Sequence, residues 1–197
     1  GTAIDKSGNG RTGTLTNMGR ATSTAIGKLG QALKFSGRNQ LVNVPFTGID
    51  TLSYSLWIKA ADIGDASQYI ISQDIGGSNI SHSLNFKTSD NKIYLGGSNS
   101  GGKVDVISAT INTKQWVHVV AVENWSTAST SALYINGTLS ASGASTSRWQ
   151  SFNNLLKIGE DPYGPFLYDF NGLIDDVRVY NRSLSASEVK QLYRMGK

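Results

Sequence analysis

The segment Thr51-Leu52-Ser53-Tyr54-Ser55-Leu56-Trp57-Ile58-Lys59 places Leu52, Tyr54, Leu56 and Ile58 at every second position. Side chains alternate between the faces of a strand, whereas a helix gathers an apolar stripe at a period near 3.6, so this run fits a half-buried strand. Trp57 then belongs to the opposite face. Shorter runs of the same kind follow one another along the chain: Ala32-Leu33-Lys34-Phe35, Leu41-Val42-Asn43-Val44 before Pro45, Tyr69-Ile70-Ile71-Ser72, Ser83-Leu84-Asn85-Phe86, Lys92-Ile93-Tyr94-Leu95 and Val104-Asp105-Val106-Ile107-Ser108. Turns rich in Gly, Ser and Asn separate them, at the spacing of a meander.

The most apolar strand is Gln115-Trp116-Val117-His118-Val119-Val120-Ala121-Val122. Ala132 to Leu139 forms a hairpin on Asn136-Gly137, a pair that tolerates positive φ at both turn positions. Leu155 to Gly159 and Gly172 to Tyr180 supply the last strands, with a long irregular loop, 160–171, between them. Residues 1–30 form a Gly-, Ser- and Thr-rich lead-in that must be tied down elsewhere. Ser185-Ala186-Ser187-Glu188 is a capping box, which predicts a helix over roughly 185–194 with Val189, Leu192 and Tyr193 on its packed side.

Composition supports this arrangement and narrows the function. The chain has 197 residues, within the range of one all-β domain, so a single domain over 1–197 is expected. Its 22 glycines and low charge (16%) favour short strands and turns over long helices. No segment approaches the roughly 20 apolar residues of a membrane-spanning helix. The net charge of +4 is scattered and never forms a basic run, which argues against nucleic acid while remaining compatible with acidic ligands. Zero cysteines removes disulfides and thiolate metal sites, and for an exported protein favours a bacterial or archaeal surface. A start at Gly1-Thr2-Ala3 reads as a piece of a longer protein, covalently linked to other domains.

Several segments together carry a family resemblance. Asp5 to Gly10, Gly30-Gln31-Ala32-Leu33-Lys34-Phe35-Ser36-Gly37 and Leu56-Trp57-Ile58-Lys59 are followed by Trp116-Val117-His118-Val119, Leu133-Tyr134-Ile135-Asn136-Gly137 and Leu156-Lys157-Ile158-Gly159. Gly172-Leu173-Ile174-Asp175-Asp176-Val177-Arg178-Val179-Tyr180-Asn181-Arg182 completes the set. In this order the chain resembles a laminin-G-like domain of the concanavalin A-like lectin/glucanase superfamily. The resemblance implies an all-β fold: a two-sheet antiparallel β-sandwich, or jelly roll, closed by the short C-terminal helix. It also implies a structural calcium ion joining the N-terminal segment to the last strand, with Asp5, Gly37 and Asp175 as the matching donors. Calcium takes six to eight oxygens from carboxylates and carbonyls, which turns supply readily. Where many relatives carry acids after the phenylalanine, this chain has Ser36, Asn39 and Gln40. The competing role for Asp175 and Asp176 is to end a strand and pair with Arg178 or Arg182.

Catalysis finds little support in the residues. The glucanases of this superfamily resemble one another in a Glu-x-Asp-x-x-Glu strand, and this chain has only Glu123, Glu160 and Glu188, the last committed to the capping box. Glu160 and Asp161 are adjacent, so on an extended chain they point apart. His82 and His118 have no nucleophile-elbow serine, and His118 reads as a packed side chain. Binding remains, and sugar recognition uses aromatic platforms ringed by acids, amides or Arg. The loop Glu160-Asp161-Pro162-Tyr163-Gly164-Pro165-Phe166-Leu167-Tyr168 combines these and yields Glu160, Asp161, Tyr163 and Tyr168 as ligand residues. Trp125, Arg148 and Trp149 lie in loop surroundings and join them, whereas Trp57 and Trp116 belong to packing. The expectation is a non-catalytic, lectin-like module at an extracellular or cell-surface site, binding a polysaccharide or glycan, acidic ones included. The alternatives are an adhesive domain that binds protein, and a polysaccharide-active enzyme built on Glu160 and Asp161.

Overall fold

The structure is a computed structural model and describes residues 1–19, 22–46, 51–61, 67–74, 80–99, 102–124, 130–144, 155–160 and 168–197. Within them lie β1 (Thr2–Ala3), β2 (Gly13–Thr16), β3 (Thr24–Ile26), β4 (Gln31–Ser36), β5 (Leu41–Pro45), β6 (Thr51–Ala60), β7 (Ser67–Asp74), β8 (Ile80–Lys87), β9 (Lys92–Asn99), β10 (Gly102–Thr110), β11 (Val117–Asn124), β12 (Thr130–Ile135), β13 (Thr138–Ala144), β14 (Leu155–Ile158), β15 (Asn171–Tyr180) and the helix α1 (Ala186–Met195). An eight-stranded sheet runs β1-β2-β5-β14-β7-β8-β9-β10, and a seven-stranded sheet runs β13-β12-β11-β6-β15-β4-β3. Neighbouring strands are antiparallel, giving the expected β-sandwich with one C-terminal helix.

The alternation read from the sequence is what closes the sandwich. Leu52, Tyr54, Leu56 and Ile58 of β6 and Val117, Val119 and Ala121 of β11 face Ile71, Leu84, Phe86, Ile93, Leu95 and Leu156 of the other sheet in one core. Register fixes this arrangement, because a slip by one residue would turn every core side chain of a strand to the outside. The hairpin joining β12 to β13 turns on Asn136 at φ 52° and Gly137 at φ 77°, the conformation its sequence anticipated. The lead-in is fastened by β2 against β5 and by β3 against β4.

The two outer faces differ. On the seven-stranded sheet, Val120 and Val122 form a second apolar cluster with Leu184 and Val189, flanked by Tyr134, Tyr180 and Leu192. The helix is thereby seated on that sheet, with Val189, Leu192 and Tyr193 as its packed side. The Trp57 ring stacks on Tyr193 at 5.7 Å and 28° between planes. Gly196 closes over the indole so tightly that a Cβ there would lie 2.6 Å from Trp57. The Ser53 hydroxyl anchors the segment entering the helix, donating to the Arg182 carbonyl at 2.8 Å and accepting from Leu184 N at 3.1 Å. Ser185 and Glu188 complete the capping box.

His118 lies beneath this helix at 1% exposure. Its Nε2 is 3.0 Å from Ser55 Oγ, and its ring lies 5.0 Å from Trp57 and 6.0 Å from Tyr193. Burial, followed by the nearby Arg178 cation, pushes the imidazole down from 6.5 to about 4. The unfolded chain therefore takes up a proton near pH 6.5 that the folded ring refuses until about pH 4. Stability present above pH 6.5 is lost as pH falls through that window, by roughly 3 kcal/mol from this group. Urea denaturation at pH 7 and pH 4 should show the loss in the native chain and most of it abolished in His118→Gln.

Candidate functional site

The outer face of the eight-stranded sheet has the opposite character. No helix or strand among the described residues is seated on it, and its cross-strand rows are polar. Leu84, Phe86, Ile93 and Leu95 point into the core, so Ser83, Asn85 and Lys87 of β8 and Lys92, Tyr94 and Gly96 of β9 face outward. The register aligns Tyr69 with Asn85, Asn85 with Tyr94, and Tyr94 with Ser108. The two tyrosines lie two strands apart, about 10 Å at the usual strand spacing, with the Asn85 amide between them. A bulge at Ile70 reverses the alternation within β7 and turns Tyr69 and Ser72 to the same side, while Ile70 and Ile71 both enter the core.

A second row runs Thr14, Asn43, Lys157, Ser72, Ser83 and Gly96 from β2 to β9. Tyr168 extends the aromatic row, its ring meeting Tyr69 edge-on at 6.4 Å, while its carbonyl accepts from Tyr69 N at 2.7 Å. Tyr168 is 42% exposed, while Tyr69, Asn85 and Tyr94 are half-buried. Tyr94 is tethered by its hydroxyl, which donates to Asp90 Oδ2 and is thereby kept above its usual pKa. Flat rings standing beside amides and hydroxyls on a rigid sheet can stack against apolar ring faces and exchange hydrogen bonds with polyols.

The ligand residues chosen from sequence fall into two groups. Glu160 and Tyr168 are the two feet of the 160–171 loop, both planted on this face. Tyr168 is exposed. Glu160 is buried: it pairs with Lys157 at 2.7 Å and its carbonyl accepts from Ser72 Oγ at 2.9 Å. Its carboxylate therefore anchors the loop. Asp161, Tyr163, Trp125, Arg148 and Trp149 lie outside the described residues. Tyr69, Asn85 and Tyr94 were not singled out from sequence; alternation gives each its outward face, but only the register makes them one row.

The three metal donors do not converge. Gly37 follows the rung Ser36–Asn171, and Asp175 lies beyond the rung Leu33–Ile174, so they are about 16 Å apart along one ladder. That exceeds what one calcium ion with bonds near 2.4 Å can span. Asp175 instead accepts from Leu29 N at 2.7 Å, bracing the β3–β4 turn, and from Asp176 N at 2.7 Å. Asp5 belongs to the β1–β2 connection, where the Ser7 hydroxyl and the Arg11 and Ser7 amides hold its carboxyl below the usual range. As an ensemble, Asp5, Gly37 and Asp175 do not fit a calcium site. Around Gly37 side-chain amides make the junction. Gln40 accepts from Ser36 N at 2.8 Å and donates to the Asn17 carbonyl at 3.2 Å, and Asn17 donates to the Asn39 carbonyl at 2.9 Å. Asp169 accepts from Asn39 N at 2.6 Å. Nor does Asp175 end its strand: Asp176 at φ 48° forms a bulge within β15 and pairs with Arg178 at 3.0 Å, while Arg182 pairs with Glu188.

The comparison with known proteins follows from this architecture. A sequence profile for the concanavalin A-like lectin/glucanases superfamily matches residues 34–190. The chain belongs to this superfamily. It is similar to Adhesion G-protein coupled receptor V1 of Danio rerio, 28% identical over 152 residues, a match that takes in 71% of this chain and 2% of the receptor. The domain thus spans a small fraction of that relative's length. Its fold is similar to domain 4 of AbnA, a GH43 extracellular arabinanase from Geobacillus stearothermophilus, solved with arabinotriose. The TM-score is 0.70 at 23% identity, covering 95% of this chain and 91% of that one. It is also similar to the botulinum neurotoxin type G receptor binding domain, with a TM-score of 0.73 at 19% identity, covering 98% of this chain and 48% of that one. The named organisms are a bacterium and a fish, so a bacterial or archaeal origin finds no support here. No helix among the described residues is long and apolar enough to cross a membrane.

The bracing role of Asp175 has a measurable signature. Asp175→Ala should cost about 2 kcal/mol, the value of a charge-assisted bond to a buried carboxylate. The loss in thermal melts should be the same in calcium and in chelator; a metal ligand's loss would shrink once chelator had removed the ion.

Proposed function

We propose that this domain is a non-catalytic glycan-binding module of a larger extracellular protein. The observation that carries the reading is the row Tyr168, Tyr69, Asn85, Tyr94 and Ser108 on the outer face of the eight-stranded sheet, where Tyr168 is exposed and the others are half-buried. Rings about 10 Å apart suit two sugars of one extended chain, with the intervening amide addressing hydroxyls. The arabinotriose held by the AbnA domain supports a carbohydrate ligand on this fold.

Chemistry on this face would need a free pair of carboxylates. Its described acids are committed elsewhere: Asp90 accepts from Tyr94 and from Lys92 N, and Glu160 is paired with Lys157. The proposed binding uses stacking and hydrogen bonding without turnover; Asp161, which an enzymatic alternative would need, lies outside the described residues. Asp5, Gly37 and Asp175 are assigned no calcium, because the Gln40 and Asn17 amides join the N-terminal segment to the turn after β4.

A glycan array followed by calorimetry on the best ligand tests this. Tyr94→Ala and Tyr69→Ala should each weaken binding about tenfold, roughly 1.4 kcal/mol, with the melting temperature little changed and no reducing ends released. Binding that survives both substitutions, or an array without hits, would overturn it in favour of a protein-binding adhesive domain.

A further inference from the structure

We infer that the ligand is an anionic glycan, and that Lys87 and Lys92 form the subsite for its carboxylate or sulfate group. This deepens the reading above and rests on it. One alternation step from the Asn85–Tyr94 rung, β8 and β9 set Lys87 directly opposite Lys92 on the same outward face. Ser67 and Thr110 extend that rung on either side, giving Ser67, Lys87, Lys92 and Thr110 across four strands.

Like charges directly opposed across an antiparallel pair repel. On this face Lys157 is neutralised by Glu160 at 2.7 Å, whereas no ion pair to Lys87 or Lys92 exists among the described residues. Asp90, the acid in the connecting turn, is tied to the Tyr94 hydroxyl and to the backbone amide of Lys92. Lys87 and Lys92 are half-buried residues beside the Tyr94 row, and with the Asp90 carboxylate turned to the Tyr94 hydroxyl and the Lys92 amide neither has an ion-pair partner among the described residues. An anion between the two lysines removes the repulsion and gains two charge-assisted hydrogen bonds. Two residues along a strand cover about 7 Å, so a sugar ring laid on Tyr94 carries its exocyclic acid toward the lysine pair. The tyrosines distinguish this from a general anion patch, because stacking requires a ring.

Affinity electrophoresis of the whole chain through gels containing polygalacturonate (carboxylate), dextran sulfate (sulfate) or arabinan (neutral) tests the inference at low and high salt. Retardation by at least one anionic polymer should exceed that by arabinan and should fall with salt. Lys87→Gln and Lys92→Gln should each weaken it roughly tenfold, and Tyr94→Ala should weaken it by a similar factor without changing charge. Lys190→Gln, on the exposed side of α1, should leave it unchanged. The polymer that retards best identifies carboxylate or sulfate. Equal retardation of all lysine variants together with Tyr94→Ala would show unspecific charge adsorption and overturn the inference. Tyr94-dependent retardation by arabinan, indifferent to Lys87 and Lys92, would overturn it too but leave glycan binding standing. Retardation by duplex DNA stronger than by either anionic polymer would replace the glycan with nucleic acid.

Discussion

The stack of Trp57 on Tyr193 decides how the two surfaces of this sandwich are used. An indole on the outer face of a central strand is a large apolar liability unless something covers it, and the C-terminal helix does so with Tyr193, Leu192 and Val189. Once that helix is seated, the centre of the seven-stranded sheet is buried on both faces around Trp57, Val120 and Val122, while Lys34 and Lys59 stay exposed beside it. His118 is trapped beneath, neutral, and sensitive to acid. On the eight-stranded sheet no described helix or strand plays the part of α1, although Ser72 and Ser83 are buried beside Glu160, and its outward positions carry hydroxyls, amides, lysines and tyrosines.

A polar outer face by itself is ordinary for an antiparallel sheet. What sets this one apart is the alignment of its tyrosines. The bulge at Ile70 lets Tyr69 share a face with Asn85 and Tyr94; unbroken alternation through Ile70 from the core-facing Ile71 would turn Tyr69 into the core. Tyr94 is fixed by Asp90, and Tyr69 is flanked by Tyr168, so the row is braced at both ends. Such bracing lowers the entropy lost when a flexible polymer settles on it.

The fold was legible because its determinants are local. The period of two in Thr51 to Lys59, the Asn136-Gly137 turn and the Ser185–Glu188 capping box each act within a few residues, and each specifies its element without reference to the rest. The short strands β1 and β3 escaped notice because they have only two or three residues each and depend on their partners β2 and β4. The site was less legible for the same reason. Tyr69, Asn85, Tyr94 and Ser108 come from four strands, and nothing in a single strand reports which residue lies opposite. Of the proline- and aromatic-rich loop, Tyr168 lies exposed beside Tyr69, whereas Glu160 is buried against Lys157 and Ser72. Asp175 looked like a metal ligand because it sits in the right stretch of sequence. Its oxygens face the amides of Leu29 and Asp176, a long-range pairing that sequence spacing does not encode.

The central claim is that the outer face of the eight-stranded sheet is the binding surface. Backbone amide shifts measured by NMR during titration with trigalacturonate test it directly. The account predicts shifts concentrated at Tyr69, Asn85, Lys87, Lys92, Tyr94 and Ser108, with α1 and Trp57 unaffected. Shifts centred on the helix, or on strands β12 and β13, would contradict it.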